Sequence, residues 1–385
     1  MLNQIFQLTQ PKNITIKYQE EDMSREDKVL IRPYYMAICH ADQRYYQGKR
    51  DPKVLKKKLP MALIHESSGI VVADPTGTYQ PGQIVAMVPN QPPHQTEGVF
   101  FENYLEGTHF LSSGFNGFMQ EVVALPLDRV VAYPEEVRGP VTALAEFSSV
   151  AMHAIHRFDL IAHQRRESVL ILGDGSLSYV VATSLHYLYP DLKITVVGRN
   201  NDKLQLFNFI HQAILTSELT DDQRFDHAFE CTGGQGSEPA INDIIDHIKP
   251  QGTVMLMGVS DNRVAVNTRD VLEKGLTFVG SSRSGREDFE RAVEMLANRR
   301  VQSRLKNIIH VDGEVQTIPD IHRAFATDLI TPYSGSTRMD ITASIASLCV
   351  GIGMSFSYFL PLAGTLWVRR PSRPMRSHSP LAVTS

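Results

Sequence analysis

Over the first third of the chain, apolar residues fall in short runs rich in β-branched side chains. IKYQEED, KVLIRPYYMAI, SSGIVVADP, GQIVAMVP and MQEVVALPLDRVVAYP alternate or cluster apolar positions over strand lengths, and Gly and Pro separate them. This pattern predicts a compact all-β region to about Pro140. From Val141 the spacing changes. VTALAEFSSVAMHAIHRF has helical periodicity and leads into the buried-strand run SVLILGDGS. A helical LSYVVATSLHYLY, a strand KITVVGR, a helical NDKLQLFNFI, FDHAFECTGG, another helix and GTVMLMGV follow in order. Strands alternating with helices predict a parallel, doubly wound sheet. After LTFVGSS, the helix REDFERAVEMLANRR opens a last stretch to about Asp340.

Composition narrows the classes. A chain of 385 residues predicts about two or three domains. The net charge of −4 and pI near 6.4 argue against a nucleic-acid partner, for which a basic domain is expected. Cys39, Cys231 and Cys349 are few, odd in number and far apart, which suits a reducing, cytoplasmic compartment rather than a disulfide framework. MLNQIFQLTQP has no basic start followed by an apolar run, so no signal peptide is expected. Residues 341–385 are out of character: Ile341 to Val368 carries no charge, and Arg369, Arg370, Arg373 and Arg376 follow. About 20 apolar residues suffice to cross a bilayer. Here Ser, Gly and Pro361 interrupt the run, and a cytoplasmic arginine-rich end would place everything before it outside.

The segment LILGDGSLSYVV sets Gly173 and Gly175 between an apolar strand and a helix. In a dinucleotide turn the first glycine permits the tight bend, and the second admits the pyrophosphate to the helix N-terminus. Ser178 stands where a third glycine is usual, and no Lys-Ser/Thr follows to make an ATP-type loop. At the end of the next strand, VVGRNNDK offers Arg199 and then Lys203 where NAD sites usually place an acid. An arginine there suits a 2′-phosphate, which favours NADP(H) over NAD; the alternative is a solvated arginine at a helix start. MAICHADQR places Cys39 beside a histidine, His65 begins HESSG, and Glu146 opens a helix. HESSG is not a metalloprotease HExxH, because Gly69 fills the second histidine position. Each residue alone has an ordinary reading as core filler, loop residue or helix-start acid. Joined to a nicotinamide domain, they are also a donor set with which zinc polarises a carbonyl.

Together these segments resemble the zinc-containing medium-chain alcohol and polyol dehydrogenases over nearly all of residues 1 to 340. The supporting motifs are CHAD (Cys39 to Asp42) followed by YYQG, IHESSG with Ile64 replacing a leading glycine, EFSSVAMHA (Glu146 to Ala154), and FECTGG (Phe229 to Gly234). The resemblance implies an α/β protein with a β-rich GroES-like catalytic domain over 1–145, a Rossmann coenzyme domain over 146–285, a return to the catalytic domain over 286–340, and the atypical tail over 341–385. It assigns Cys39, His65 and Glu146 to zinc, Glu66 as a neighbouring carboxylate able to join the metal, Asp42 as an orienting residue, and Thr232 to the coenzyme. His153 and His156 look like helix-packing residues. VPNQPPHQTEGVFFENYLEG lacks the four cysteines of a structural zinc lobe, so one metal is expected. Ala41 has no hydroxyl to pass the alcohol proton.

CHADQRYYQG, IHESSG and GSSRSGREDF further resemble reductases that turn ribulose 5-phosphate into ribitol 5-phosphate with NADPH, for CDP-ribitol in teichoic acid or capsule synthesis. That resemblance implies a sugar-phosphate substrate, a homo-oligomer, and a ribitol-5-phosphate cytidylyltransferase as the candidate partner. Arg44 and Arg283 are the phosphate candidates, ahead of the basic run GKRDPKVLKKK. The alternatives are an NAD-dependent sorbitol or xylitol dehydrogenase and a non-catalytic nucleotide-binding relative. The resemblance stops near Tyr333. The tail therefore reads as frame-shifted read-through, with the closing strand of the catalytic sheet expected to be lost.

Overall fold

Strand Lys28–Ala37 is the spine of the first lobe in the computed structural model, which describes residues 1–22, 27–93, 101–331 and 337–339. Its Val29, Ile31 and Met36 are fully buried. It pairs antiparallel with Glu66–Ala73 and with Val123–Pro126. The sheet runs Val130–Ala132, Ile84–Met87, Glu66–Ala73, Lys28–Ala37, Thr337–Met339, His310–Val311. A smaller sheet of Asn13–Glu20, Leu2–Gln10 and Met61–Ala62 packs its Ile5 and Leu8 into the same core as Phe118 and Phe325.

The second lobe is a six-stranded parallel sheet. Ser168–Leu172, Lys193–Gly198 and Gln212–Leu215 extend one way, and His227–Glu230, Thr253–Leu256 and Thr277–Gly280 the other. Helices on both faces explain why SVLIL and KITVV read as continuous apolar runs rather than alternating ones. The order in which strands are added reverses between the first and fourth strands, so a crevice opens at their carboxyl ends, where the Gly173 turn lies.

Helix Ala145–Ile161 joins the lobes. It buries its apolar face against Arg286–Leu296 and Ser176–Leu188, and its first turn reaches the catalytic sheet. Phe289, Val293, Leu296, Val301 and Leu305 share the coenzyme-side core. Strand His310–Val311 follows and lies in the catalytic sheet. Helix Ile318–Ile330 then buries Ile321, Ala324 and Phe325 against the first lobe.

The closing strand expected to be missing is present as Thr337–Met339. It pairs antiparallel with Met36 and Ala37 and parallel with His310–Val311. Main-chain pairing tolerates almost any side chain, so a break in sequence resemblance does not forbid a strand. Residues 341–385 lie outside the described residues. Among the described residues, no helix is long and apolar enough to cross a membrane.

Candidate active site

Cys39 lies two residues past the end of the spine strand and is the N-cap of helix His40–Tyr46. Asp42, at the third helical position, accepts from the Cys39 backbone N–H at 3.3 Å and lies 3.1 Å from its Sγ. Its other oxygen accepts the Ile64 N–H and the Ser112 hydroxyl, each at 3.0 Å. One buried carboxylate thus ties the Cys39 turn to the segment that presents His65. Ile64 itself has a positive φ of 69°, the left-handed conformation that a glycine would adopt freely and a β-branched residue rarely does. The turn keeps the glycine's geometry without the glycine.

His65 Nε2 lies 3.5 Å from Cys39 Sγ, and the His65 ring meets Phe110 edge-on at 5.2 Å. Glu66 begins its strand opposite Ala37, and Glu146 comes from the first turn of the joining helix. Donor atoms of Cys39, Asp42 and His65 all lie within 4.8 Å of one another, as do those of His65, Glu66 and Glu146. His65 is common to both groups. Burial, then the neighbouring Asp42 and Glu66 charges, push the Cys39 thiol well above its ordinary pKa. Burial and the Glu146, Asp42 and Asp328 charges do the same to Glu66. Glu146 is raised chiefly by burial, against the pull of His65 and Arg283.

Glu66 Oε2 is buried with no hydrogen-bond partner among the described residues. Several mutually repelling acids around one orphaned oxygen is a costly arrangement unless a cation completes it. A thiolate, an imidazole and carboxylates suit zinc. The residues fit the metal that the sequence implies. His153 and His156 are elsewhere, around Asp288, with His153 Nδ1 at 2.9 Å from its carboxylate.

The second site is a cavity of about 330 Å³ at the Gly173 turn, lined by Gly173, Asp174, Gly175, Arg199, Thr216 and Thr232 among others. Gly173 has φ 124°, and a Cβ there would come within 3.1 Å of the Cys231 carbonyl oxygen. Ser178, in place of a third glycine, is fully buried beside that turn. Lys203 is half-buried on its short helix and is not among the lining residues.

Two residues here escaped the sequence reading. Asp174 Oδ2 accepts the Arg199 and Asn200 N–H groups at 2.7 and 2.8 Å, fixing the turn to the end of the second strand. The buried Glu230 carboxylate accepts from the backbone of Thr232, Gly233 and Gly258, shaping the turn that presents Thr232. Asp174 occupies the variable position of GxG, where the fingerprint carries no signal. Glu230 is the acid of FECTGG and was legible as a strand-end carboxylate.

The two phosphate candidates differ. Arg44 Nη2 is paired with Asp261 at 2.6 Å. Arg283 is exposed, with its guanidinium over the Phe110 ring at 4.8 Å.

Residues 25–135 match the alcohol dehydrogenase GroES-like domain, and residues 192–298 the zinc-binding dehydrogenase domain. A ribulose-5-phosphate reductase of Streptococcus pneumoniae is 58% identical over 341 residues, covering 89% of this chain and 98% of the relative. Ribulose-5-phosphate reductase 1 of Staphylococcus aureus is 44% identical over 334 residues, covering 86% of this chain and 97% of the relative. The crystal structure of S. aureus TarJ in complex with NADPH superposes with a TM-score of 0.79 at 40% identity, covering 89% of this chain and 99% of that one. L-idonate 5-dehydrogenase from Escherichia coli shares the fold, with a TM-score of 0.77 at 20% identity.

Proposed function

The chain belongs to the zinc-dependent medium-chain dehydrogenases, and on that premise we propose that it reduces D-ribulose 5-phosphate to D-ribitol 5-phosphate with NADPH. The observation that carries this reading is the pair of donor groups, Cys39–Asp42–His65 and His65–Glu66–Glu146, that share His65 beside a buried Glu66 oxygen with no hydrogen-bond partner among the described residues. The high identity to ribulose-5-phosphate reductases over nearly their whole length supports the choice of substrate.

Cys39, His65 and Glu146 would hold one zinc, with Glu66 beside it; bound there, the metal would supply Lewis acidity to the ketone, and NADPH would supply the hydride. Asp42 orients the set through its bonds to Cys39 and Ile64. Gly173 and Gly175 leave room for the pyrophosphate, Thr232 borders the nicotinamide side, and Arg199 takes the 2′-phosphate with Lys203 adding positive charge nearby. Ala41 offers no hydroxyl, so the proton that completes the alcohol arrives by way of water or another group. The product suits a cytidylyltransferase that makes CDP-ribitol for a wall or capsule polymer. The same proposal puts the enzyme in the cytoplasm, and the family resemblance adds a homo-oligomer to it.

The test is NADPH oxidation with D-ribulose 5-phosphate, D-xylulose and D-fructose, before and after chelation. The phosphorylated ketose should be strongly preferred, with activity lost to chelator and restored by zinc. Equal rates with xylulose, or activity indifferent to chelation, would reject the reading.

A further inference from the structure

We propose that Arg283 is the residue that selects a phosphorylated ketose, its guanidinium receiving the phosphate while the ketone lies at the Cys39–His65–Glu146 cluster. The inference rests on the reading of this site as a ketose reductase and names the residue that makes it specific.

Arg283 has a positive φ of 58°. A long side chain held in that region marks a position where the surrounding structure dictates the backbone, and such positions concentrate at functional sites. The restraints lie on both sides. The Ser282 N–H donates to Tyr104 Oη at 3.1 Å, and the Ser282 carbonyl accepts from Asn103 Nδ2 at 3.0 Å. The Ser284 hydroxyl lies 2.6 Å from that of Ser149 on the joining helix, one turn beyond Glu146. Tyr104 Oη is in turn held at 3.1 Å by Arg157 and by His153.

This clamp delivers the guanidinium onto one face of Phe110, whose ring also meets His65. Arg283 therefore stands one aromatic ring away from the metal donors. The five bonds from C2 of a pentulose phosphate to its phosphorus extend roughly 6 Å, beside the 4.8 Å from the guanidinium to the Phe110 centroid and the 5.2 Å from that centroid to the His65 ring. Charge singles it out as well. Arg44 is matched by Asp261, and Arg129 by Glu102 and Asp128. Among the described residues, no carboxylate forms an ion pair with Arg283. A planar, exposed guanidinium with no ion-paired carboxylate among the described residues is the preferred partner of a phosphate. Tyr104 and Asn103 are positioning residues that act through the Ser282 backbone.

The experiment compares the zinc-loaded wild type with R283Q, R283K and Y104F. It measures kcat and KM for D-ribulose 5-phosphate and D-ribulose, inhibition by inorganic phosphate, and calorimetric binding of ribitol 5-phosphate and ribitol. R283Q should cut the preference for the phosphorylated ketose roughly ten- to hundredfold, mainly through KM, and abolish competition by inorganic phosphate. R283K should recover part of the preference, and Y104F should lose a smaller part in the same direction. A wild-type preference for phosphate that survives in R283Q, in rates and in binding, would overturn the role of Arg283 and leave the reductase reading standing. A wild type that does not prefer the phosphorylated ketose at all would overturn both.

Discussion

A 2′-phosphate differs from a 2′-hydroxyl by up to two negative charges, and the residue at the end of the second parallel strand has to answer that difference. Arg199 is there, lining the cavity, with its backbone pinned by Asp174. Arg199 is exposed, and its Nη2 would lie 4.0 Å from a Cβ placed on Gly236, another lining residue, so the guanidinium borders the mouth of the cavity. Hydrogen bonds to charged groups contribute about 1.5–3 kcal/mol. Arg199→Ala should therefore raise KM for NADPH about ten- to hundredfold and change KM for NADH little. Coenzyme titration of the variant checks this, and a parallel rise for both coenzymes would assign Arg199 to the fold instead. Cys39 shows the same dependence on surroundings. As a lone cysteine it reads as core filler, and it becomes a ligand candidate only with His65 at 3.5 Å.

At the scale of elements, the strand His227–Glu230 begins with a histidine that has no exposure to water. Its Nε2 lies 3.0 Å from the Arg165 carbonyl, and its Nδ1 accepts the Thr253 N–H at 3.1 Å. The imidazole must be neutral to keep both bonds. Burial first, then the His163 ring at 4.3 Å, lowers its pKa from 6.5 to about 4. Between these values the unfolded chain binds the proton and the native chain does not. This contribution is complete above pH 6.5 and is lost as the pH falls towards 4, by up to about 3 kcal/mol. Melting temperature followed from pH 7 to pH 4.5 should drop more steeply for the wild type than for His227→Gln. Equal slopes would show that His227 does not report on folding. The site lies at the opposite end of the sheet from the coenzyme turn, so the effect belongs to stability and not to catalysis.

For the molecule as a whole, the lobes must hold their alignment for a hydride to reach a ketone. Part of that alignment comes from the segment in which relatives carry structural-zinc cysteines and this chain has none. Glu102 accepts both terminal nitrogens of the buried Arg129, at 2.7 and 3.0 Å, and also the Arg286 N–H at 2.7 Å. The Arg286 side chain returns to the Val130 carbonyl at 3.0 Å. One carboxylate therefore joins the catalytic sheet to the helix that packs on Ala145–Ile161. Removing Glu102 takes its charge-assisted bonds from Arg129, which keeps Asp128 as a partner, and such bonds contribute about 1.5–3 kcal/mol. Glu102→Ala should lose about that much in denaturant unfolding, and a loss below about 1 kcal/mol would show that the brace is slack.

What the sequence determined by itself was local or repetitive in origin. Alternating apolar runs specified strands, helical spacing specified the joining helix, and Gly173 and Gly175 marked the coenzyme turn, because each depends only on backbone geometry over a few residues. The residue types in CHAD, HESSG and EFSS nominated the metal donors. Only the tertiary structure decided that these donors converge from a strand end, a loop and a helix start. It alone showed that Asp261 takes up the charge of Arg44 while Arg283 is cocked over Phe110 by Tyr104 and Asn103, and that Thr337–Met339 closes the sheet. The physical reason is that burial, charge pairing and main-chain pairing are relations between residues far apart in the chain. They come into being only when packing brings those residues together.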